Sequence, residues 1–236
     1  MIAFLAATLL MAQTPTVAVP DASRLPEDRA CYTLSITRGT ESRPIGVVWQ
    51  TVARETIDGK PVLRVVVHQS VNGGAFDMRD IFTLDAATLR PLTLENSRKG
   101  VTHVVATYGA DRITGERHEA DGTTAPIDVP LTGPVWEGNL FGQTFAALPL
   151  AEGADFTLPY WQYDKGFGDF TVRVTGSETV QTPGGPVEAW VVDAGASADS
   201  RLTYLIGKAD HRELGYRAGP GSQRLGGDCS ALEAIP

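Results

Sequence analysis

Asp80 is the carboxylate whose setting is most unusual for its type. Over Phe76 to Leu84 the even positions read Phe76, Met78, Asp80, Phe82 and Leu84, so strand alternation puts one acidic side chain in the middle of an apolar face. Buried there it needs a partner or a raised pKa, and carboxyl groups in that state are functional candidates. Two structural readings stand beside this one. A bulge can turn Asp80 outward, or Asp80 can pair with Arg79 or another arginine. Two aromatic groups offer a different chemistry, the enclosure of an apolar ligand. Tyr160, Trp161, Tyr163, Phe167 and Phe170 are crowded into one stretch, and Asp164 to Asp169 reads as a mobile loop at a cavity mouth. Trp136, Leu140, Phe141, Phe145 and Leu148 recur at spacings of three and four, an apolar helical stripe. Such residues line pockets, and they also pack cores.

Other chemistries find no support in the residues. His68, His103, His118 and His211 stand far apart, with no metal-ligand spacing to another His, Cys or carboxylate, so no metal or other cofactor is expected. There is no G-x-S-x-G elbow, and the glycines from Gly219 to Gly227 neither follow a strand nor open a helix as phosphate loops do. With no catalytic motif written on it, the chain reads as a non-enzyme.

The elements that must position these residues are strands. Tyr32, Leu34 and Ile36 alternate with Thr33, Ser35 and Thr37. Stretches from Val47 to Ile57 and Val62 to Gln69 flank Asp58-Gly59, a strong hairpin signal; Leu63, Val65 and Val67 face one way, Arg64 and His68 the other. The same grammar continues through Ala75–Leu84, Val101–Tyr108, Arg112–Arg117, Pro126–Leu131, Phe170–Gln181, Val187–Asp193 and Leu202–Ile206. The expectation is mainly β: a single curved antiparallel sheet, an unclosed half-barrel, with one or two helices on its concave side. The main helix is expected over 134–148, with Pro134 at its first position. Gly138 and Gly142 weaken it. Residues 207–236 read as a Gly-rich C-terminal tail.

The chain has 236 residues, enough for one domain, and its 20 basic against 28 acidic residues give a net charge of -8. That balance argues against nucleic acid and anionic membrane surfaces as partners. Ile2 to Ala12 is an apolar run of secretory length, too short to span a bilayer. Residues 1–18 are therefore expected to be a Sec-type signal peptide, cleaved after Ala12 or Ala18, with 19–29 an extended lead-in and 30–206 the β domain. The mature form then has no integral membrane span and works in the periplasm. Export into an oxidising compartment allows Cys31 and Cys229, the two cysteines, to pair; two unpaired thiols or an intermolecular bond are the alternatives.

Phe82-Thr-Leu-Asp-Ala-Ala-Thr-Leu-Arg-Pro-Leu92, Leu148-Pro-Leu-Ala-Glu-Gly153 and Val174-Thr-Gly-Ser-Glu-Thr-Val-Gln-Thr-Pro-Gly-Gly-Pro-Val-Glu-Ala-Trp190 together resemble uncharacterised periplasmic β-proteins related to the outer-membrane lipoprotein carriers LolA and LolB. The resemblance spans about residues 30 to 206 and rests on strand and turn chemistry. It implies an unclosed barrel wrapped round helices, with an apolar concavity able to take an acyl chain. The expected function is a soluble periplasmic binding or carrier protein for a hydrophobic or lipidated ligand, with envelope proteins as further partners. The candidate ligand residues are Trp136, Leu140, Phe141, Phe145, Phe76, Met78, Phe82, Asp80 and Trp161. The alternatives are an enzyme on the same half-barrel using an inward carboxylate, and an envelope scaffold with no small ligand.

Overall fold

The computed structural model describes residues 16–233. Most of the expected leader, with the Ala12 cleavage position, lies outside these residues. Sixteen strands form one sheet: β1 (Thr16–Val17), β2 (Asp28–Arg38), β3 (Glu41–Ile57), β4 (Lys60–Val71), β5 (Phe76–Asp85), β6 (Pro91–Arg98), β7 (Val101–Tyr108), β8 (Arg112–His118), β9 (Thr124–Pro130), β10 (Trp136–Glu137), β11 (Asp155–Gln162), β12 (Gly166–Thr182), β13 (Gly185–Gly195), β14 (Leu202–Gly207), β15 (Glu213–Ala218) and β16 (Gly221–Leu225). The order runs β1-β11-β12-β13-β14-β15-β16-β2-β3-β4-β5-β6-β7-β8-β9, with β10 beside β1 on the outer edge of β11. All neighbours are antiparallel except the two short parallel partners of β11. The sheet is mainly one meander, and it does not close by a hydrogen-bonded ladder.

Its two ends meet instead across a seam of side chains. Tyr108 on β7 packs edge-to-face on Trp161 of β11, ring centroids 5.8 Å apart, and donates its hydroxyl proton to the Glu137 carboxylate on β10. The sheet therefore curls round a continuous core that draws on both halves: Leu63, Val65, Phe82, Leu94 and Val104 from one, Leu158, Phe170, Val172, Val192 and Tyr204 from the other.

Because successive strands reverse direction, the turns fall at two ends of this barrel-like body. Those at 58–59, 86–90, 109–111 and 208–212 share one end, and it is plugged. The lead-in crosses it, with Asp21 N–H donating to Ala147 O and Ala22 N–H to Ala87 O, both at 2.9 Å. Ala22 and Leu25 are buried there, and Arg54 donates to the carbonyls of both. Trp136 Nε1 donates to Thr88 O at 3.0 Å. The turns at 72–75, 99–100, 163–165, 196–201 and 219–220 mark the other end, which is the mouth.

Three sequence expectations are corrected here. The single helix over 134–148 is instead β10 followed by a six-residue helix, α1 (Phe141–Ala146), inside the barrel. Gly138 sits where a Cβ would lie 2.7 Å from side-chain atoms of both Gln162 and Tyr160, so this residue is a close-approach point between β10 and β11 rather than part of a helix. The segment from Gly207, read as a tail, supplies β15 and β16, and β16 pairs with β2 to join the two halves of the sheet. Gly215, at φ +123°, is the reason glycines are needed: a Cβ there would meet Gln223 O at 2.0 Å. Finally, the supposed loop 164–169 is largely the first turn and start of the β11–β12 hairpin. A second helix, α2 (Ser230–Glu233), lies on the convex side, where Leu232 and Glu233 share a groove with Trp49 and His68. It is held there by a disulfide between Cys31 and Cys229, Cα atoms 5.7 Å apart.

Candidate ligand-binding site

Two cavities open above α1 into the mouth. The larger, about 700 Å³, has an aromatic floor of Phe141, Phe145, Tyr160, Phe170 and Tyr204. Each ring is held by another. Tyr160 stacks on Phe170 at 4.0 Å between centroids, and Phe145 meets Phe170 at 5.6 Å and Tyr204 at 5.1 Å edge-to-face. The rim is polar: Lys165 from the β11–β12 turn and Asp199, Ser200 and Arg201 from the β13–β14 connection. Arg201 is fixed by Asp193, Nε to Oδ2 2.8 Å, and by Thr171. Lys165 is exposed. A volume of this size, apolar below and with Lys165, Arg201 and Asp199 at the lip, falls in the size range of small-molecule pockets.

The second cavity, about 220 Å³, shares Phe141, Leu202 and Tyr204 with the first. Its remaining lining is strongly polar, with Asp80 and Glu213 beside Gln50, Gln69, Asn139, Gln143 and Gln223. Asp80 points inward as alternation requires. It does so without a bulge and without Arg79, which lies on the opposite face of β5 as its direct neighbour in sequence; the partner is Asn96 on β6, whose Nδ2 donates to Oδ1 at 2.6 Å. Burial pushes the Asp80 carboxyl up to about 6, against the opposing pull of Asn96 and Arg98.

Glu213 was hidden in the sequence. Tyr216 faces the interior, so strict alternation would bring Leu214 in and leave Glu213 out. A register shift between Leu205 and Ile206 inverts the two: Glu213 pairs with the inward Ile206, and Leu214 joins a separate cluster with Ala189 and Leu205. The Glu213 carboxylate accepts from Gln143 Nε2 at 3.1 Å and Gln223 Nε2 at 3.2 Å, and burial raises it to about 7. It rests against α1 at Gly142, where a Cβ would meet Oε2 at 2.0 Å. Glu137 is a third buried carboxyl group, raised by burial to about 7 despite the Tyr108, Asn139 N–H and Asn139 Nδ2 donors, with the Asp80 charge adding to the rise.

The residues read from sequence as ligand contacts divide by place. Phe141 and Phe145 line the aromatic cavity, and Leu140, Phe141, Met78 and Asp80 line the polar one. Trp136, Phe82 and Trp161 are buried in the core and line neither. Phe76 is 45% exposed at the mouth end of β5. The cavities also draw on residues that the sequence did not single out: Glu213, Tyr204 and the 196–201 connection.

No group of three or more His, Cys, Asp or Glu side chains suited to a metal ion occurs among the described residues. No helix among them is long and apolar enough to cross a membrane.

No curated protein matches the chain. A solved structure from Brucella abortus, described as a beta-barrel-like protein of domain of unknown function DUF1849, aligns with a TM-score of 0.46 at 11% identity, over 89% of this chain and 96% of that one. Neither this match nor the family model connects the chain to the LolA and LolB carriers. The model that matches, over residues 31–219, is that of "Protein of unknown function (DUF3108)", and the chain belongs to that family.

Proposed function

We propose that the protein is an exported, envelope-associated binding or carrier protein whose ligand is hydrophobic or lipidated, with the apolar part of that ligand held in the aromatic cavity. The observation that carries this reading is the 700 Å³ cavity over a floor of five mutually packed aromatic rings with a polar, partly cationic lip. The opposite end of the barrel is plugged by the lead-in, so a chain enters and leaves at one mouth. The rings are pre-positioned by one another, which keeps the ordering cost of binding low.

Saturated fatty acids of increasing length should displace a fluorescent fatty-acid analogue from the purified protein. Each further buried CH₂ contributes about 0.8 kcal/mol, or about fourfold in Kd, until the cavity is full. Ala218, at the cavity wall, is only partly buried. Ala218→Trp should fill the space and weaken binding at least tenfold while the melting temperature stays within a few degrees. Equal affinity in the variant, or no length dependence, contradicts the assignment.

Export belongs to the same proposal. The mature chain isolated from the periplasm should begin at Gln13 or Val19 by intact mass. The pairing of Thr16–Val17 with β11 and the burial of Ala18 favour Gln13, since cleavage after Ala18 would remove both. A chain recovered from the cytoplasm with Met1 retained would contradict it.

A further inference from the structure

We infer that the smaller cavity is a distinct subsite for a protonated organic amine. This goes beyond the acyl-chain reading and stands on Asp80, Glu213 and the carboxamides, none of which lines the larger cavity. Its wall carries two carboxyl groups, Asp80 and Glu213, and five carboxamides, and no Lys, Arg or His lines it. Glu213 is supported by amide donors from two sides, Gln143 on α1 and Gln223 on β16, with no cation among its hydrogen-bond partners. Asp80 takes its one close hydrogen bond from Asn96. Asn96 is 1% exposed, and its Oδ1 has no hydrogen-bond partner among the described residues. Asn96 stands behind Asp80 and outside the lining; the wall itself sets two buried carboxyl groups facing the cavity with no cation beside them.

An ammonium group supplies that countercharge, with three N–H donors for the carboxyl and carboxamide oxygens. Anions fit poorly, because they would be desolvated beside two carboxyl groups with no cation to receive them. The carboxamides give the site polar walls that hydrogen-bond without adding charge, and Phe141, Tyr204 and Tyr216 supply aromatic faces suited to a cation. The space, about 220 Å³, admits a head of several heavy atoms. Since Phe141, Leu202 and Tyr204 border both cavities, an amine carrying a chain can reach the aromatic floor from here.

The test compares n-hexylamine, n-hexanol and n-hexanoate by titration calorimetry at pH 7, with decanoate as a separate probe of the aromatic cavity. Hexylamine should bind at least tenfold more tightly than the other two hexyl compounds. Asp80→Asn with Glu213→Gln should abolish that preference and leave decanoate affinity within twofold, with folding checked by circular dichroism. Gly142→Ala, which keeps both charges but displaces the Glu213 carboxylate, should weaken hexylamine alone. If hexylamine and hexanol bind equally, if hexanoate binds best, or if the neutral double variant keeps the preference, the amine subsite is wrong whatever decanoate does. Failure of decanoate with hexylamine behaving as stated overturns the acyl reading and leaves the subsite standing.

Discussion

Replacing Cys31 and Cys229 together by serine should lower the unfolding free energy by as much as about 5 kcal/mol, the chain-entropy value for so long a loop. The bond joins residues 198 apart in sequence. It ties β2, in the middle of the strand order, to the segment that carries α2 over the convex face. Gly227 passes so close to β2 that a Cβ would lie 2.6 Å from Thr33 Oγ1 and 3.3 Å from Cys31 Sγ, which shows how tightly the segment is drawn in. Urea unfolding of the oxidised protein and the double variant, compared at matched pH, gives the difference directly. A loss below about 1 kcal/mol would mean that the unfolded chain is little constrained by the tie.

A second large effect should appear in the pH dependence of stability. Asp80, Glu137 and Glu213 are all raised by burial, to about 6, about 7 and about 7. A carboxyl group whose folded pKa lies above its unfolded value binds more protons in the native state between the two. Stability is therefore full below about pH 4 for these groups and falls as pH rises towards 7, where the buried charge has formed. One pKa unit corresponds to about 1.4 kcal/mol, so each group's contribution is of order 3 kcal/mol, reduced where neighbours relax. Glu213→Gln isolates one of them. Relative to the natural protein the variant should be nearly neutral at pH 5 and more stable by about 1 to 3 kcal/mol at pH 8, measured by denaturant titration. A stability difference from the natural protein that is the same at pH 8 as at pH 5 would show that Glu213 ionises as an exposed carboxylate does, and would contradict the account.

How far such features can be read from sequence depends on the local regularity of the sheet. Where the ladder is regular, period-two alternation marks the face correctly, and Leu63, Val65, Phe82 and Asp80 all point where it puts them. Asp58-Gly59 forms the turn its chemistry demands, at φ +50° and +75°. The half-barrel follows from those signals, and the disulfide is the pairing that two cysteines in an exported chain allowed. The rest is set by tertiary contacts that leave little trace in periodicity. β11 is short, mixes Asp155, Thr157 and Gln162 with apolar and aromatic residues, and carries Pro159, which falls between the registers of its two short partners β1 and β10. β15 and β16 are short and carry one glycine each, Gly215 where the β16 backbone approaches closely, and with Gly219, Gly226 and Gly227 beside them the composition imitates a tail. The helical stripe over 134–148 was a true sign of burial. It is shared between an edge strand and one short helix, both of them almost wholly buried. Of the polar cavity, Asp80 was legible because its strand is straight. Glu213 was not, because a single bulge reverses its face.

Native mass spectrometry of the protein purified from its native host, without detergent, tests the central claim most directly. The account predicts a non-covalently bound small amphiphile on a substantial fraction of the protein, identifiable after release and absent from Ala218→Trp prepared in the same way. A protein that carries nothing, and that takes up no acyl compound when one is supplied in excess, would contradict it.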